Sequence, residues 1–502
     1  IYESAEMKIQ QFLEHHGIAT NPFAEEDAQT DPVFKEHCLK QIYHPAWDKI
    51  YGDPSDPATS LVFGEKGAGK TALRLQIRAH LEDFNRAHPD RRVFVIEYDD
   101  FNPYLDRFRE TFSSRRRKAK RVLGEWKLWD HMDAILSLGV TSLIDHVLQV
   151  RHPSGFPVEI QPGDVARLDR HQARDLMLLA TCYDQSTAET FKNRWLRIRR
   201  KVKFRTIGAN WTLFVGMLIT ALVVGVIAYA STWSWLQGPW PYVIVFGGWV
   251  PHLARCWKWF WKARSIVRHV RVGNHETNPL RQVLMRFRAS QLSSQPLPNK
   301  DRTDDRFELL CKLQGILSTM GFGGIIVLVD RVDEPHLING RIEAMQQFLW
   351  PLLDNKFLKH PGVGFKLLLP IELEQYLDRE DREFFQRARL DKQNMVPSLE
   401  WTGQALYDVA MARIRACAAP NQSPSLLPLF NDSVTEQRLI DGFRALRVPR
   451  HLFKFMYRVL VAHCNSHTDE HPSWEISSEN FESVLAVFSR EQDQVDRGLR
   501  AG

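Results

Sequence analysis

The stretch Ser60–Ala87, SLVFGEKGAGKTALRLQIRAHLEDFNRA, decides how the rest of the chain is read. Ser60–Phe63 is an apolar run of buried-strand length. Gly64–Thr71 matches G-x-x-x-x-G-K-[ST] with nothing missing, and Ala72–Ala87 has the apolar spacing of an amphipathic helix. A glycine loop between a buried strand and a helix turns successive backbone N–H groups toward phosphate oxygens, and the helix N-terminus adds partial positive charge. In this reading Gly64, Glu65, Lys66, Gly67, Ala68, Gly69, Lys70, Thr71 and Ala72 line the phosphates of ATP. Lys70 reaches the β/γ-phosphates and Thr71 offers its hydroxyl to Mg²⁺. The competing reading, a glycine turn that merely caps a helix, leaves the strand–loop–helix context unexplained.

Working outward, RVFVIEY at Arg92–Tyr98, GGIIVLVD at Gly323–Asp330 and GFKLLLP at Gly364–Pro370 are further apolar runs, each next to a helical pattern. Buried strands alternating with amphipathic helices predict one parallel sheet covered on both faces. Asp330 stands at the carboxyl end of its strand, where open α/β sheets bind ligands, and its carboxylate is placed to hold the Mg²⁺. Glu334 is the expected base or water-orienting group, with Asp333 tuning either carboxylate. The alternative for Asp333 is a plain helix N-terminal carboxylate. Chain-wide there is no N-K-x-D sequence for guanine, so adenine is the expected base.

About 260 residues separate Lys70 from Asp330, more than a compact crossover needs, so an insertion is expected between them. It contains a charge-free run, Ala209–Ala230, long enough to span a bilayer, and a weaker second candidate, Trp240–Trp261, broken by Pro, Gly and Arg255. Basic residues from Lys192 to Arg205 and from Arg255 to Arg271 flank an uncharged turn, which predicts a two-span hairpin with both ends in the cytoplasm and the lipid bilayer as a partner. Core helices of a soluble domain, or a re-entrant second leg, are the competing readings.

Composition agrees with a globular multidomain protein. The 502 residues are 25% charged and 44% hydrophobic, with net charge +6, too small an excess to imply nucleic-acid binding by itself. Six scattered cysteines without a C-x-x-C pair fit a reducing compartment. The N-terminal stretch is amphipathic and does not read as a secretory signal. The basic run Arg115–Arg121 is expected to be a solvated face or a contact with anionic lipid; nucleic acid is the weaker expectation.

On these motifs the chain resembles known families. The strand ending D-R-V-D-E at Asp330–Glu334 resembles the extended Walker B of STAND-type signalling NTPases, and GEKGAGKTALR is similar to the Walker A of related bacterial ATPases. An apolar pair between the two motifs resembles KAP-type P-loop NTPases. The resemblance implies an α/β P-loop core of the additional-strand (ASCE) type followed by an AAA-like helical lid. It further implies a sensor arginine, Arg450, and an arginine finger, Arg387 or Arg389, presented to a neighbouring copy of a homo-oligomer. As alternatives, Arg450 sits on the solvated face of a proline-started helix and the pair Arg387/Arg389 is an ordinary basic helix end.

The expected organisation is an N-terminal segment (1–55), a first core half (56–190), the transmembrane insertion (191–275), a second core half (276–400) and a helical lid (401–502). The expected activity is Mg²⁺-dependent ATP hydrolysis at the inner, cytoplasmic membrane, used as a signalling or defence switch through self-assembly with an unidentified protein partner or effector. An ATP-binding membrane scaffold with little turnover, or an ATP-driven nucleic-acid machine, are the alternatives.

Overall fold

The computed structural model describes residues 7–113, 117–150, 160–206, 211–229, 233–293, 295–353, 356–388, 390, 394–468 and 470–500. Five strands, β1 (Ser60–Gly64), β2 (Arg92–Tyr98), β3 (Phe322–Val329), β4 (Val363–Pro370) and β5 (Asn394–Val396), form one sheet in the order β2-β3-β4-β1-β5. Every pairing is parallel. β1 and β4 are buried along their whole length, which is why their sequences read as unbroken apolar runs instead of alternating ones. The two strand-rich blocks do share one sheet, because β4 lies between β1 and β3.

The principal core spans both faces of this sheet and extends into the helices Leu128–Leu148, Arg170–Tyr183 and Asp304–Thr319. A second core joins Met7, Phe12, Leu13, Ile18 and Phe23 to Leu406, Ile414, Phe443, Phe455, Leu460 and Phe481. Residues between Met7 and Phe23 are therefore packed into the C-terminal helices. The apolar face of the short helix Ile9–His15 is covered by Pro449–Asn465.

Between β2 and β3 the chain forms two long helices, Trp211–Tyr229 and Trp240–His269, packed against each other. Gly216 faces the Trp249 ring, Gly248 faces Ile219, and Trp249 Nε1 donates to Thr220 Oγ1 at 3.0 Å. Among the described residues, Trp211–Tyr229 is the one helix long and apolar enough to cross a membrane; 17% of its most apolar window is buried. Trp240–His269 does not qualify, because Arg255, Lys258, Lys262 and Arg264 fall inside it and its uncharged part, Trp240–Ala254, is about 22 Å long at the α-helical rise. The expectation of two spans is thus reduced to one candidate.

Three arginines, two buried and one half-buried, fasten this insertion to the core. Arg194 pairs with Asp145 and Asp184, each at 2.7 Å, Arg271 with Asp130 at 2.7 Å, and Arg306 with Asp133 at 3.0 Å. Asp130, Asp133 and Asp145 all lie on Leu128–Leu148, so the segments before and after the apolar pair are held by one helix.

Candidate functional site

β1 ends at Gly64 and the helix Lys70–Ala87 begins six residues later, so the loop between them turns through two left-handed glycines, Gly67 (φ 91°) and Gly69 (φ 95°). Other residues pay a steric cost in that region, which is why the spacing demands glycine there. Lys70 Nζ folds back over the loop and donates to the carbonyls of Gly64 at 2.7 Å and Glu65 at 3.0 Å. Burial lowers the Lys70 pKa, opposed by the charges of Asp333, Asp330 and Glu372. The ammonium is thus held in a partly desolvated, acidic setting.

Thr71 Oγ1 donates to Asp330 Oδ2 at 3.2 Å, which joins the end of the glycine loop to the end of β3 across the intervening β4. Asp330 is almost wholly buried; its other oxygen accepts the Arg331 backbone N–H at 2.9 Å, and burial pushes its pKa up against the pull of Arg74. One hydroxyl and one carboxylate form a donor set that fits Mg²⁺, which takes its remaining ligands from phosphate and water. Arg74, one turn beyond Thr71, sits 3.4 Å from Asp330 and also pairs with Asp99 and Glu97 at the end of β2. Sequence reading passed over it, since an arginine on an amphipathic helix carries no local signal of its partners.

Asp333 and Glu334 follow in a turn opened by the left-handed Arg331 (φ 60°). Asp333 heads the charges that oppose the lowering of the Lys70 pKa. The Glu334 side chain is 60% exposed and lies 3.7 Å from Arg331 Nε; its pKa is raised by partial desolvation and then by Asp333, Asp330 and Asp27. The structure therefore brings Asp330 and Thr71 together and leaves Glu334 at the rim. Glu372, just after β4, joins the Lys70 environment. It follows Pro370, the strand end that offers no polar side chain, by two residues.

Arg450 lies directly over the loop. Its backbone N–H points to Gly67 O at 3.4 Å, and a Cβ placed on Gly67 would stand 2.7 Å from Arg450 Cβ. Arg450 Nε is buried without a hydrogen-bond partner among the described residues. The Arg450 residue as a whole is half-buried. Trp401 makes a second contact between the C-terminal helices and the loop, donating Nε1–H to Ala68 O at 2.9 Å. His44 packs edge-on against Trp401 and bonds Glu400 O at 3.0 Å.

These contacts line a narrow, mainly apolar cleft of about 100 Å³ beside the glycine loop, smaller than the usual small-molecule pocket. Phe34, Cys38 and Ile42 line it from the N-terminal segment, Leu73 from the helix Lys70–Ala87, and Trp401, Val409 and Phe453 from the C-terminal part, giving an N-terminal and a C-terminal wall. A buried Asp31–Arg413 pair bolts the two walls together. None of these residues was singled out by sequence, because they come from the two ends of the chain and converge only through the second core.

Arg387 and Arg389 lie outside the residues whose side chains are described, as do Arg115 and Arg116 of the basic run. Arg117, within that run, bonds the carbonyl of Phe112 at 3.1 Å.

Fold and site together define an α/β protein whose five-stranded parallel sheet is compatible with a P-loop-like core. No family model, curated protein or solved structure matches the chain.

Proposed function

We propose that the protein is a membrane-anchored, Mg²⁺-dependent ATPase of the additional-strand P-loop type, in which nucleotide state controls assembly with further copies. The observation that carries this reading is the Thr71–Asp330 contact at 3.2 Å, with Lys70 folded over the same loop. A metal-binding hydroxyl, a strand-end carboxylate and a phosphate-reaching ammonium then meet at one point. The adjoining cleft supplies an apolar seat for adenine between Leu73 and Phe453, and Arg450 would approach the phosphates from the lid side. Lys70 acts on the β/γ-phosphates, Asp330 and Thr71 on the metal, and Glu334 or Asp333 on the attacking water.

The membrane part of the reading rests on exposure. Leu218 and Phe246 are 66% and 65% exposed, and the belt they belong to continues through Trp211, Phe214, Leu222, Trp240, Tyr242 and Val250. A continuous apolar surface of this kind suits hydrocarbon, and the aromatic residues suit its boundary. Trp211–Tyr229 would cross the bilayer, and the apolar end of Trp240–His269 would return beside it.

A second reading, an ATP-binding scaffold with little turnover, is favoured by the outward position of Glu334. One comparison separates the readings and tests both. ATP·Mg²⁺ at a hundredfold excess over Kd is expected to stabilise the wild type by about 2.7 kcal/mol and to leave Lys70→Ala unshifted. Equal shifts in the two proteins would remove the nucleotide assignment. A wild-type shift without phosphate release would leave the scaffold.

A further inference from the structure

Where the apolar helix pair meets the rest of the molecule, three soft donors converge. His252 and Cys256 are one turn apart on Trp240–His269, with Cys256 Sγ 3.5 Å from His252 Nε2. Met285, from the segment after Thr277–Leu284, brings its Sδ to 3.9 Å from the same sulfur. The other ring nitrogen of His252 lies 3.4 Å from Thr212 Oγ1, which leaves Nε2 facing Cys256. Arg255 holds Met285 in place by donating to the carbonyls of Met285 at 2.9 Å and Phe287 at 3.0 Å.

We propose that His252, Cys256 and Met285 bind a soft monovalent metal ion, Cu(I). With metal–sulfur and metal–nitrogen bonds of about the lengths zinc makes, 2.3 and 2.0 Å, the Cys256–His252 and Cys256–Met285 separations correspond to angles of roughly 110–115° at one ion. Thiolate and thioether donors select Cu(I) over harder cations. Zinc is disfavoured because it takes four ligands of nitrogen, thiolate or carboxylate type, and no group of three or more His, Cys, Asp or Glu that could hold a metal occurs among the described residues. Thr212 would orient the imidazole, as outer partners of metal-bound histidines do. The three ligands are part-buried, so solvent has a path to the site. Binding exchanges a proton for a metal: the Cys256 S–H bond breaks, its proton leaves to solvent, and the S–Cu bond forms. The ion enters and remains cuprous, so no electron donor or acceptor takes part. The site does not depend on the ATPase reading. Its consequence is mechanical, since the bound ion would tie the base of the apolar pair to the chain that leads back to β3.

The test is a competition titration of the full chain in detergent, without oxygen, against the coloured Cu(I)–bicinchoninate complex. The wild type is expected to withdraw one equivalent. Cys256→Ser should lose it, and Met285→Leu should weaken it by more than about a hundredfold, beyond the roughly 10–100-fold that losing an outer partner costs. Cys311→Ser is the control, because Cys311 is exposed and touches His360 Nε2 at 3.7 Å in a second Cys–His pair. In parallel, Cu(I) should protect Cys256 of the unmutated chain from alkylation, read by mass spectrometry, which keeps the test valid if a variant misfolds. No withdrawal of copper, loss of the equivalent in Cys311→Ser, unchanged affinity in Met285→Leu, or an unprotected Cys256 would each overturn the proposal.

Discussion

Gly67→Ala tests whether the C-terminal helices are held against the glycine loop. Gly67 has φ 91°, and an L-residue forced into the left-handed region loses about 1–2 kcal/mol. The new Cβ would also stand 2.7 Å from Arg450 Cβ and 3.1 Å from its Cδ. The nearer atom is fixed to the backbone of Pro449–Asn465, so relief requires that helix to back away from the loop. Overpacking of this kind costs about 1–3 kcal/mol, and the two terms together give roughly 2–5 kcal/mol. A chain with two cores is not expected to unfold in one step, so the readout is the midpoint of the transition that carries the C-terminal helices, followed by near-ultraviolet circular dichroism. A drop of several degrees in that midpoint is expected, with most of the ATP-induced shift lost. Gly163→Ala is the control, since a Cβ there meets nothing within 4 Å. If Gly67→Ala and Gly163→Ala melt alike and respond alike to ATP, the contact between lid and loop has no energetic weight and the reasoning fails.

Asp330→Asn is expected to weaken Mg²⁺-dependent nucleotide binding, and Glu334→Gln to keep binding and lose phosphate release; wild-type turnover in Glu334→Gln would move the base to Asp333. His131 is fully buried, with Nδ1 3.0 Å from Tyr98 OH and Nε2 2.7 Å from Phe348 O, and burial lowers its pKa to about 4. A depressed histidine stabilises the fold above its unfolded pKa of about 6.5, and that stability is lost as pH falls toward 4, up to about 3 kcal/mol. The acid slope of the urea midpoint should therefore be shallower in His131→Gln, and equal slopes would refute it. Arg306→Ala leaves Asp133 buried and unpaired and should cost about 3–5 kcal/mol, whereas the Arg306→Met, Asp133→Leu double variant should recover much of it. After lysis without detergent the protein should sediment with membranes; recovery in the soluble fraction would reassign the exposed belt to a protein interface.

What the sequence made legible was whatever is encoded locally. SLVF, GEKGAGKT and GGIIVLVD each carry their own burial pattern or backbone requirement; the structure sets the two strands within one residue of their expected bounds and starts the helix at Lys70, two residues before the expected Ala72. The placing of β4 between β1 and β3 follows from the same apolar runs only once the sheet is seen. The cleft was illegible, because Phe34 and Phe453 have no sequence relation and are brought together by a core built from both chain ends. Arg74 and Glu372 were missed for a similar reason: a charge reveals its partner only through tertiary contact. Trp240–Trp261 read as a second span because its aromatic residues mimic an apolar window, and the structure shows the helix running on into its basic half.

The strand that carries the glycine loop has an unusual place in the order of synthesis. β1 pairs with β4 and β5 and with no other strand, so each of its partners lies about 300 residues further along the chain. At ribosomal rates of roughly 5–20 residues per second, its backbone groups wait some tens of seconds for a neighbour. In that interval Trp211–Tyr229 has already been made. The candidate site is therefore among the last features of the molecule to exist, closed after the apolar helices have had time to find their surroundings. A nascent chain that failed to settle them would carry an open strand edge and an unclosed glycine loop.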